Sequence, residues 1–167
     1  MGSKEKHVRR LVWTAMWLAA SFAHVAQADA VSRAAQAGQA QAEYALALRY
    51  EQGAGAAPNP ALALQWTRRA ALQGHAAAQN NLGVLYFERG NFRQALHWYQ
   101  RAARKGHADA QFNLALMYEL GRDVPPNPEK AIYWYKLAAA HGHWYAQYNL
   151  ARLFDDDLPP LPSPSPP

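Results

Sequence analysis

One ten-residue pattern returns along the chain and constrains its fold more than any other feature. It reads GHAAAQNNLG at 74–83, GHADAQFNLA at 106–115 and GHWYAQYNLA at 142–151, and a fainter copy, GQAQAEYALA, begins at Gly38. The four leading glycines are separated by 36, 32 and 36 residues. Self-similarity at this period predicts stacked helical hairpins, each too small to bury its apolar face alone.

The residues that follow each glycine predict the first helix of a unit, here called helix A. Small residues recur four and nine positions after the glycine, leucine recurs at eight and an aromatic residue at twelve. These offsets fall on one stripe of a helix, where small residues admit a close neighbour. The four sets are Ala42, Leu46, Ala47 and Tyr50; Ala78, Leu82, Gly83 and Tyr86; Ala110, Leu114, Ala115 and Tyr118; and Ala146, Leu150, Ala151 and Phe154.

The residues that precede the next glycine predict a second helix, called helix B. Tryptophan recurs eight positions before the glycine, as Trp66, Trp98 and Trp134. The glycine itself suits a left-handed cap at the end of helix B. Pro60 and Pro128 suit the first turn of helix B, where a missing N–H costs nothing.

The pattern A-x-A-Q-x-N-L-G-x-x-Y, a glycine with a proline-containing turn, and A-x-x-W-Y-x-x-A-A-x-x-G together resemble the Sel-one-like repeat of the tetratricopeptide superfamily. The unit at 106–141 matches best, through Ala108, Ala110, Gln111, Asn113, Leu114, Tyr118, Gly121, Ala131, Trp134, Tyr135, Ala138, Ala139 and Gly142. The resemblance implies an all-α fold, a right-handed α-solenoid of stacked antiparallel helix hairpins. The predicted segments are a cap half-helix at 29–37, repeats at 38–73, 74–105 and 106–141, a partial repeat at 142–157 and a Pro/Ser-rich tail at 158–167.

Both ends of the predicted array are half units. Residues 32–38 match the end of a helix B and would form an N-terminal cap. After residue 142 a helix A is predicted to run to Phe154, with no polar helix to cover it. Terminal repeats normally need a solvated face, so this layer is a candidate surface for a partner or for a second copy. The tail LPPLPSPSPP is predicted to be disordered or polyproline-like.

The N-terminus is typical of a secretory signal peptide. Residues 1–10 are polar and basic, residues 11–23 form an apolar run, and Ala26-Gln27-Ala28 supplies a small-x-small site. Cleavage after Ala28 would place the mature chain in a bacterial periplasm or outside the cell. The alternative is a retained anchor, but about 20 Å of helix falls short of the ~30 Å hydrocarbon core, so no stable membrane span is expected after cleavage.

Charge argues against nucleic acid as a partner. The whole chain has a formal net charge of +5, but residues 1–28 contain four basic residues and one acidic residue, which leaves +2. The remaining basic residues are scattered rather than arranged in a stripe, so the electrostatic attraction to phosphates is weak.

The sequence carries no recognisable catalytic, cofactor or metal motif. There is no cysteine, no H-E-x-x-H, no G-x-S-x-G, no P-loop and no G-x-G-x-x-G. His75, His107 and His143 recur in one register, which spaces them roughly 10 Å apart along a helical stack, too far for one metal ion. We therefore interpret them as turn or capping residues, and we expect no enzyme activity, cofactor or metal.

A second face of the A helices, opposite the packing stripe, combines aromatic rings with amides. Rings supply contact area at low entropic cost, and amides can satisfy the N–H and C=O groups of an extended peptide. The candidate partner-binding residues on this face are Tyr44, Asn80, Asn81, Phe112, Asn113, Tyr148, Asn149 and Arg152.

One register position on that face has two interpretations. Resemblance to peptide-binding tetratricopeptide domains implies that Asn81, Asn113 and Asn149, seven residues after each glycine, grip a bound peptide. Alternatively, this asparagine belongs to the repeat consensus and hydrogen-bonds the adjacent helix.

The predicted function is a non-enzymatic scaffold that binds a protein or peptide partner, as an adaptor or assembly factor of the bacterial cell envelope. One alternative is an envelope hydrolase that acts on cell-wall-type substrates, although the cysteines of the relatives that suggest it are missing here. Another alternative is a structural subunit of an oligomer.

Overall fold

The computed structural model describes residues 29–54 and 57–154, and every regular element in those ranges is a helix. Residues 29–36 form a first helical segment. Seven helices follow: α1 (Ala40–Gln52), α2 (Pro60–Leu72), α3 (Ala76–Glu88), α4 (Phe92–Ala103), α5 (Ala108–Leu120), α6 (Pro128–Ala140) and α7 (Trp144–Arg152). The predicted signal peptide at 1–28, the end of the partial repeat at 155–157 and the tail at 158–167 lie outside the described residues.

The chain divides into two compact units, with the boundary after Arg69 in α2. In the second unit α3 packs on α4 and α5 packs on α6, and the pairs α4–α5 and α6–α7 join successive hairpins. The predicted all-α fold of helix hairpins, the α-solenoid class, is thus confirmed. Helices α1, α3, α5 and α7 are the predicted A helices, and α2, α4 and α6 are the B helices.

Small residues bring the helices of the second unit close together, as the stripe predicted. Ala110, Leu114 and Met117 of α5 pack with Tyr99 of α4 in one buried cluster, and Ala115 packs with Tyr135 of α6 in another. Gly83 in α3 lies very close to its helix B, because a Cβ placed there would be 2.5 Å from the ring of Tyr99.

The junction between a helix B and the next helix A is a turn of three or four residues that ends in glycine and histidine. At the end of α4 the N–H groups of Gly106 and His107 donate to the carbonyl oxygens of Ala103 and Ala102, in the pattern of a Schellman motif. Gly106 adopts a left-handed φ of 82°, which glycine tolerates without strain. The same backbone bonds occur at Gly74–His75 and Gly142–His143.

The histidine of each junction also caps the helix that it precedes. Its Nδ1 accepts the backbone N–H three residues on, at 3.3 Å from Ala78, 3.4 Å from Ala110 and 3.2 Å from Ala146. The interpretation of these histidines as capping residues is confirmed. At the fainter first copy Gln39 takes this position, and its side chain makes no capping bond.

The predicted starts of the B helices are confirmed, and the predicted end of the last A helix is wrong by two residues. Pro60 and Pro128 are the first residues of α2 and α6, and the side chains of Asn59 and Asn127 cap those helices. Helix α7 ends at Arg152 rather than at Phe154, because the Phe154 N–H turns back to the Ala151 oxygen in a tighter turn.

A glutamine five residues after each junction glycine joins helix A to the preceding helix B. The side-chain amides of Gln79, Gln111 and Gln147 donate to the carbonyl oxygens of Ala71, Ala103 and Ala139, at 3.0, 3.1 and 3.4 Å. In the first unit the same position is Glu43, which is fully buried and forms an ion pair with Arg69 at 2.9 Å. A carboxylate only accepts hydrogen bonds, so it takes a cation where the other repeats donate to a carbonyl oxygen.

Candidate partner-binding surface

The A helices of the second unit, α3, α5 and α7, carry most of the predicted partner-binding residues. The side-chain N–H of Asn113 in α5 donates to the side-chain oxygen of Asn80 in α3 at 3.1 Å. Asn80 is only 7% exposed, so this bond satisfies a buried oxygen. The pair therefore joins two A helices directly.

A second polar link joins α5 to α7. Arg152 of α7 forms an ion pair with Glu119 of α5. The hydroxyl of Tyr135, which reaches this site from α6, donates to the other oxygen of Glu119 at 2.5 Å and accepts the side-chain N–H of Asn149 at 3.1 Å. Burial and the bond to Glu119 raise the pKa of Tyr135, so its hydroxyl keeps its proton as a donor.

Aromatic side chains of α5, of α7 and of the capping residue before α7 pack together, and Phe112 among them lies 5.8 Å from the ring of Tyr135. The rings of Phe112 and His143 stack with centroids 4.4 Å apart, and Tyr145 lies 6.1 Å from Phe112. Nε2 of His143 is 3.5 Å from the carboxylate of Asp109. Burial lowers the pKa of His143 more than Asp109 raises it, which favours the neutral ring that can cap α7.

The structure places the remaining predicted residues in different surroundings. Asn81 is half-buried on α3, and Tyr44 is half-buried on α1 in the first unit. The hydroxyl of Tyr148 on α7 is buried and has no hydrogen-bond partner among the described residues. Of the candidates on the second unit, the structure joins Asn80 with Asn113 directly, and joins Asn149 with Arg152 through Tyr135 and Glu119.

The side chains of Asn113 and Asn149 form hydrogen bonds with neighbouring helices. Asn149 donates to Tyr135 of the adjacent helix B, and Asn113 donates to Asn80 of the adjacent helix A. Both are the kind of bond expected if this register position holds the repeats together. If these residues bind a peptide, they must do so through the N–H and C=O positions of their side-chain amides that are not used in these bonds.

Sequence reasoning missed the residues that organise the polar link between α5 and α7. Glu119 lies on the predicted face but is not among the candidate residues, and the sequence gives Tyr135 only a place in the helix B pattern. A usable signal existed: Glu119 and Arg152 carry opposite charges on successive A helices, 13 and 10 residues after their glycines. Opposite charges on the same face of neighbouring A helices mark pairs that stacking can bring into contact.

The described ranges 29–54 and 57–154 lack two kinds of feature. Within them, no group of three or more His, Cys, Asp or Glu side chains is arranged to hold a metal ion. None of the helices in those ranges combines the length and the apolar character that crossing a membrane requires.

Comparison with known proteins identifies the repeat. The family model of the Sel1 repeat matches residues 40–75, 76–107, 108–143 and 144–163. The chain belongs to the Sel1 repeat family. No curated protein matches the chain.

Two solved structures support the same assignment. A Sel1 repeat protein from Oxalobacter formigenes is 37% identical over 74% of this chain and 51% of its own, with a TM-score of 0.69. A protective antigen of uropathogenic Escherichia coli that displays an SLR fold is 33% identical over 75% of this chain and 28% of its own, with a TM-score of 0.70. The chain thus spans about half, or less, of the length of these relatives.

Sel1 repeats are helical scaffolds of the tetratricopeptide-like type, compatible with protein binding. In this Sel1 repeat chain the surface of α3, α5 and α7 carries aromatic rings, fixed amides and one ion pair, which is a composition suited to another polypeptide.

Proposed function

We propose that this Sel1 repeat chain is a non-catalytic scaffold that binds an extended segment of a protein partner in the bacterial cell envelope. The observation that carries the proposal is that α5 and α7 together present Phe112, Tyr145 and Asn113 as well as the Glu119–Arg152 ion pair. The rings pack on one another and the Asn113 amide is bonded to Asn80, so a ligand meets side chains that already have intramolecular partners.

The chemistry of this surface favours an extended backbone as the ligand. The bond to Asn80 uses one of the donor and acceptor positions of the Asn113 amide and leaves others for a peptide N–H or C=O group. Phe112 and Tyr145 offer apolar area for alternate side chains of the peptide. Arg152 is 38% exposed although it is paired, so it can also approach an acidic group of the ligand.

The proposed location in the envelope is supported by the sequence of residues 1–28, with its basic start, apolar run and Ala26-Gln27-Ala28. Mass spectrometry of the protein purified from an envelope fraction tests this part separately. A mature N-terminus at Asp29 is expected, and a chain that starts at Met1 in the cytoplasm contradicts the location but not the binding surface.

The binding surface is tested by crosslinking and pull-down from bacterial envelope extract. Tyr145→Ala and Asn113→Ala should each reduce the recovery of a specific partner by about 5- to 30-fold, since interface anchors contribute on the order of 1–2 kcal/mol. Tyr133→Ala is the matched control, because Tyr133 is a 57% exposed aromatic residue on the helix B α6. Equal recovery with all three variants would exclude this surface.

Folding has to be checked in the same samples, because Asn113 also holds α5 to α3. Circular dichroism should show that both variants keep the helix content and a cooperative thermal transition. If Asn113→Ala loses partner and folding in parallel, the residue is structural, and Tyr145→Ala alone decides the proposal. If the purified protein hydrolysed any of a panel of amides and esters, the hydrolase alternative would be favoured over the non-catalytic scaffold.

A further inference from the structure

One face of the last helix, α7, is exposed where the same face of the earlier A helices is covered. Trp144, Gln147 and Ala151 of α7 and Phe154 in the turn after it are separated by three or four residues, and all four are exposed, Trp144 by 56% and Phe154 by 71%. In α5 the residues at the middle two positions are Gln111 and Ala115, which are 2% and 0% exposed. We call these four residues of the C-terminal end the open A face.

The other repeats show what normally covers this face. In the repeat of α3 and α4, the ring of Tyr99 lies against Gly83, the residue equivalent to Ala151. In the repeat of α5 and α6, Tyr135 packs in one cluster with Ala115, again the equivalent position. The face therefore accepts a helix B whose residue seven places before the closing glycine points at the small side chain.

Residues 29–36 correspond to the end of a helix B, and no helix A precedes them within the described ranges. Residues 29–36 lead into the left-handed Gly38 with the same Schellman bonds that close the complete B helices. Val31 stands seven places before Gly38, the register of Tyr99 and Tyr135. Ala34 is partly exposed, whereas the equivalent alanines of α4 and α6, Ala102 and Ala138, are fully buried. We call Val31, Arg33 and Ala34, which lie on the more exposed side of residues 29–36, the open B face.

We infer that these two half units complete each other between copies: the open A face of one chain receives the open B face of the next. Val31 would then occupy the place of Tyr135 against Ala151. Within the first unit, Arg69 of helix B forms an ion pair with Glu43 of helix A. Arg33 stands at the position of Arg69 and Gln147 at the position of Glu43, so Arg33 would lie next to the Gln147 amide. The partner of this surface is thus a second copy, seated by the repeat's own helix A to helix B contact.

This contact is heterologous, because two different faces meet, and each added copy exposes a new open A face. Heterologous contacts extend into chains of copies unless they close into a ring. The contact area is small, since eight helical residues meet a short helix. Interfaces well below about 800 Å² per partner are weak, so association is expected at protein concentrations of tens to hundreds of micromolar.

Analytical ultracentrifugation of the purified full chain tests the inference. The weight-average mass of the wild type should rise at least about two-fold between ~10 and ~500 μM. Ala151→Arg blocks one face and Val31→Arg blocks the other, so each variant alone should remain monomeric. An equimolar mixture of the two should form a dimer and go no further, because one intact open A face and one intact open B face remain.

Several results would overturn the inference. A wild type that stays monomeric throughout, an Ala151→Arg variant that still associates, or a mixture that stays monomeric would each do so. A Val31→Arg variant that forms dimers by itself would show an isologous contact between two α7 helices instead. Tyr133→Arg, on an exposed residue of neither face, must associate like the wild type, and thermal transitions must show that all variants are folded.

Discussion

Nδ1 of His143 accepts the backbone N–H of Ala146 at 3.2 Å, while the backbone N–H of His143 closes the preceding helix on Ala138 at 3.0 Å. One residue therefore ends α6 and begins α7. His75 and His107 do the same at the two earlier junctions. Because only a ring nitrogen without a proton can accept this bond, the junctions depend on neutral imidazole.

Lowering the pH from about 7.5 to 5.5 should reduce the free energy of unfolding. Burial lowers the pKa of His75 and of His143 below 6.5; His107 and Lys105 add to the effect at His75, whereas Asp109 opposes it at His143. Between these lowered values and 6.5 the unfolded chain binds more protons than the folded one. The histidines' contribution is thus full above pH 6.5 and declines below it, as urea titrations at several pH values can measure.

A double variant with His75→Asn and His143→Asn is the matched control for the pH effect. Asparagine caps helices well and does not titrate, so stability near neutral pH should change little. Its free energy of unfolding should depend less on pH between about 7.5 and 5.5 than that of the wild type. If both proteins show the same slope, the capping histidines do not cause the pH dependence.

The sequence predicts the helices and their junctions well because these are determined locally. A glycine with positive φ, a proline in a first turn and a stripe of small residues each act within one or two helical turns. Gly106 and Pro128 lie where this reasoning placed them. The end of α7 was less predictable, since the stripe extends to Phe154 and does not show where the backbone leaves the helix.

The candidate surface is predictable only in part, because its order comes from contacts between repeats. Helical periodicity places Asn113 and Arg152 on one side of their helices, but it does not tell which side chain each will meet. That Asn80 is buried against Asn113, and that Tyr135 reaches Glu119 from a helix B, depends on side-chain length and on the distance between helices. Such distances follow from packing and not from sequence spacing.

Tyr135→Phe should destabilise the protein by about 1–3 kcal/mol, because it removes a buried hydroxyl that bonds Glu119 and Asn149. Arg152→Ala should cost less, about 0–1 kcal/mol, since Arg152 is partly exposed and Glu119 keeps its bond to Tyr135. Urea unfolding of both single variants and of the double variant measures these values. A larger loss for Arg152→Ala than for Tyr135→Phe would show that the ion pair, not the hydroxyl, holds α5 to α7.

Gly83→Ala should destabilise the hairpin of α3 and α4 by about 1–3 kcal/mol, although alanine favours helices. The added methyl group would meet the Tyr99 ring at 2.5 Å, closer than real contacts allow. Thermal unfolding should show the loss, and Tyr99→Leu in the same chain should recover part of it by making room. If the losses of stability caused by the two substitutions simply add in the double variant, the Tyr99 ring moves aside without cost.

Arg69→Ala should destabilise the first unit by up to about 3 kcal/mol, because it leaves the fully buried Glu43 carboxylate without its cation. The loss of stability should fall below this upper figure, since Arg69 is 44% exposed and water screens part of the interaction. Glu43→Gln brings in the residue that the later repeats carry, and as a neutral amide it tolerates burial without a cation. In the Glu43→Gln background, Arg69→Ala should therefore cost much less, which a double-mutant cycle by urea unfolding measures directly. Equal costs of Arg69→Ala in both backgrounds would show that Arg69 acts through its packing over the Trp66 ring, 4.5 Å away, and not through the charge of Glu43.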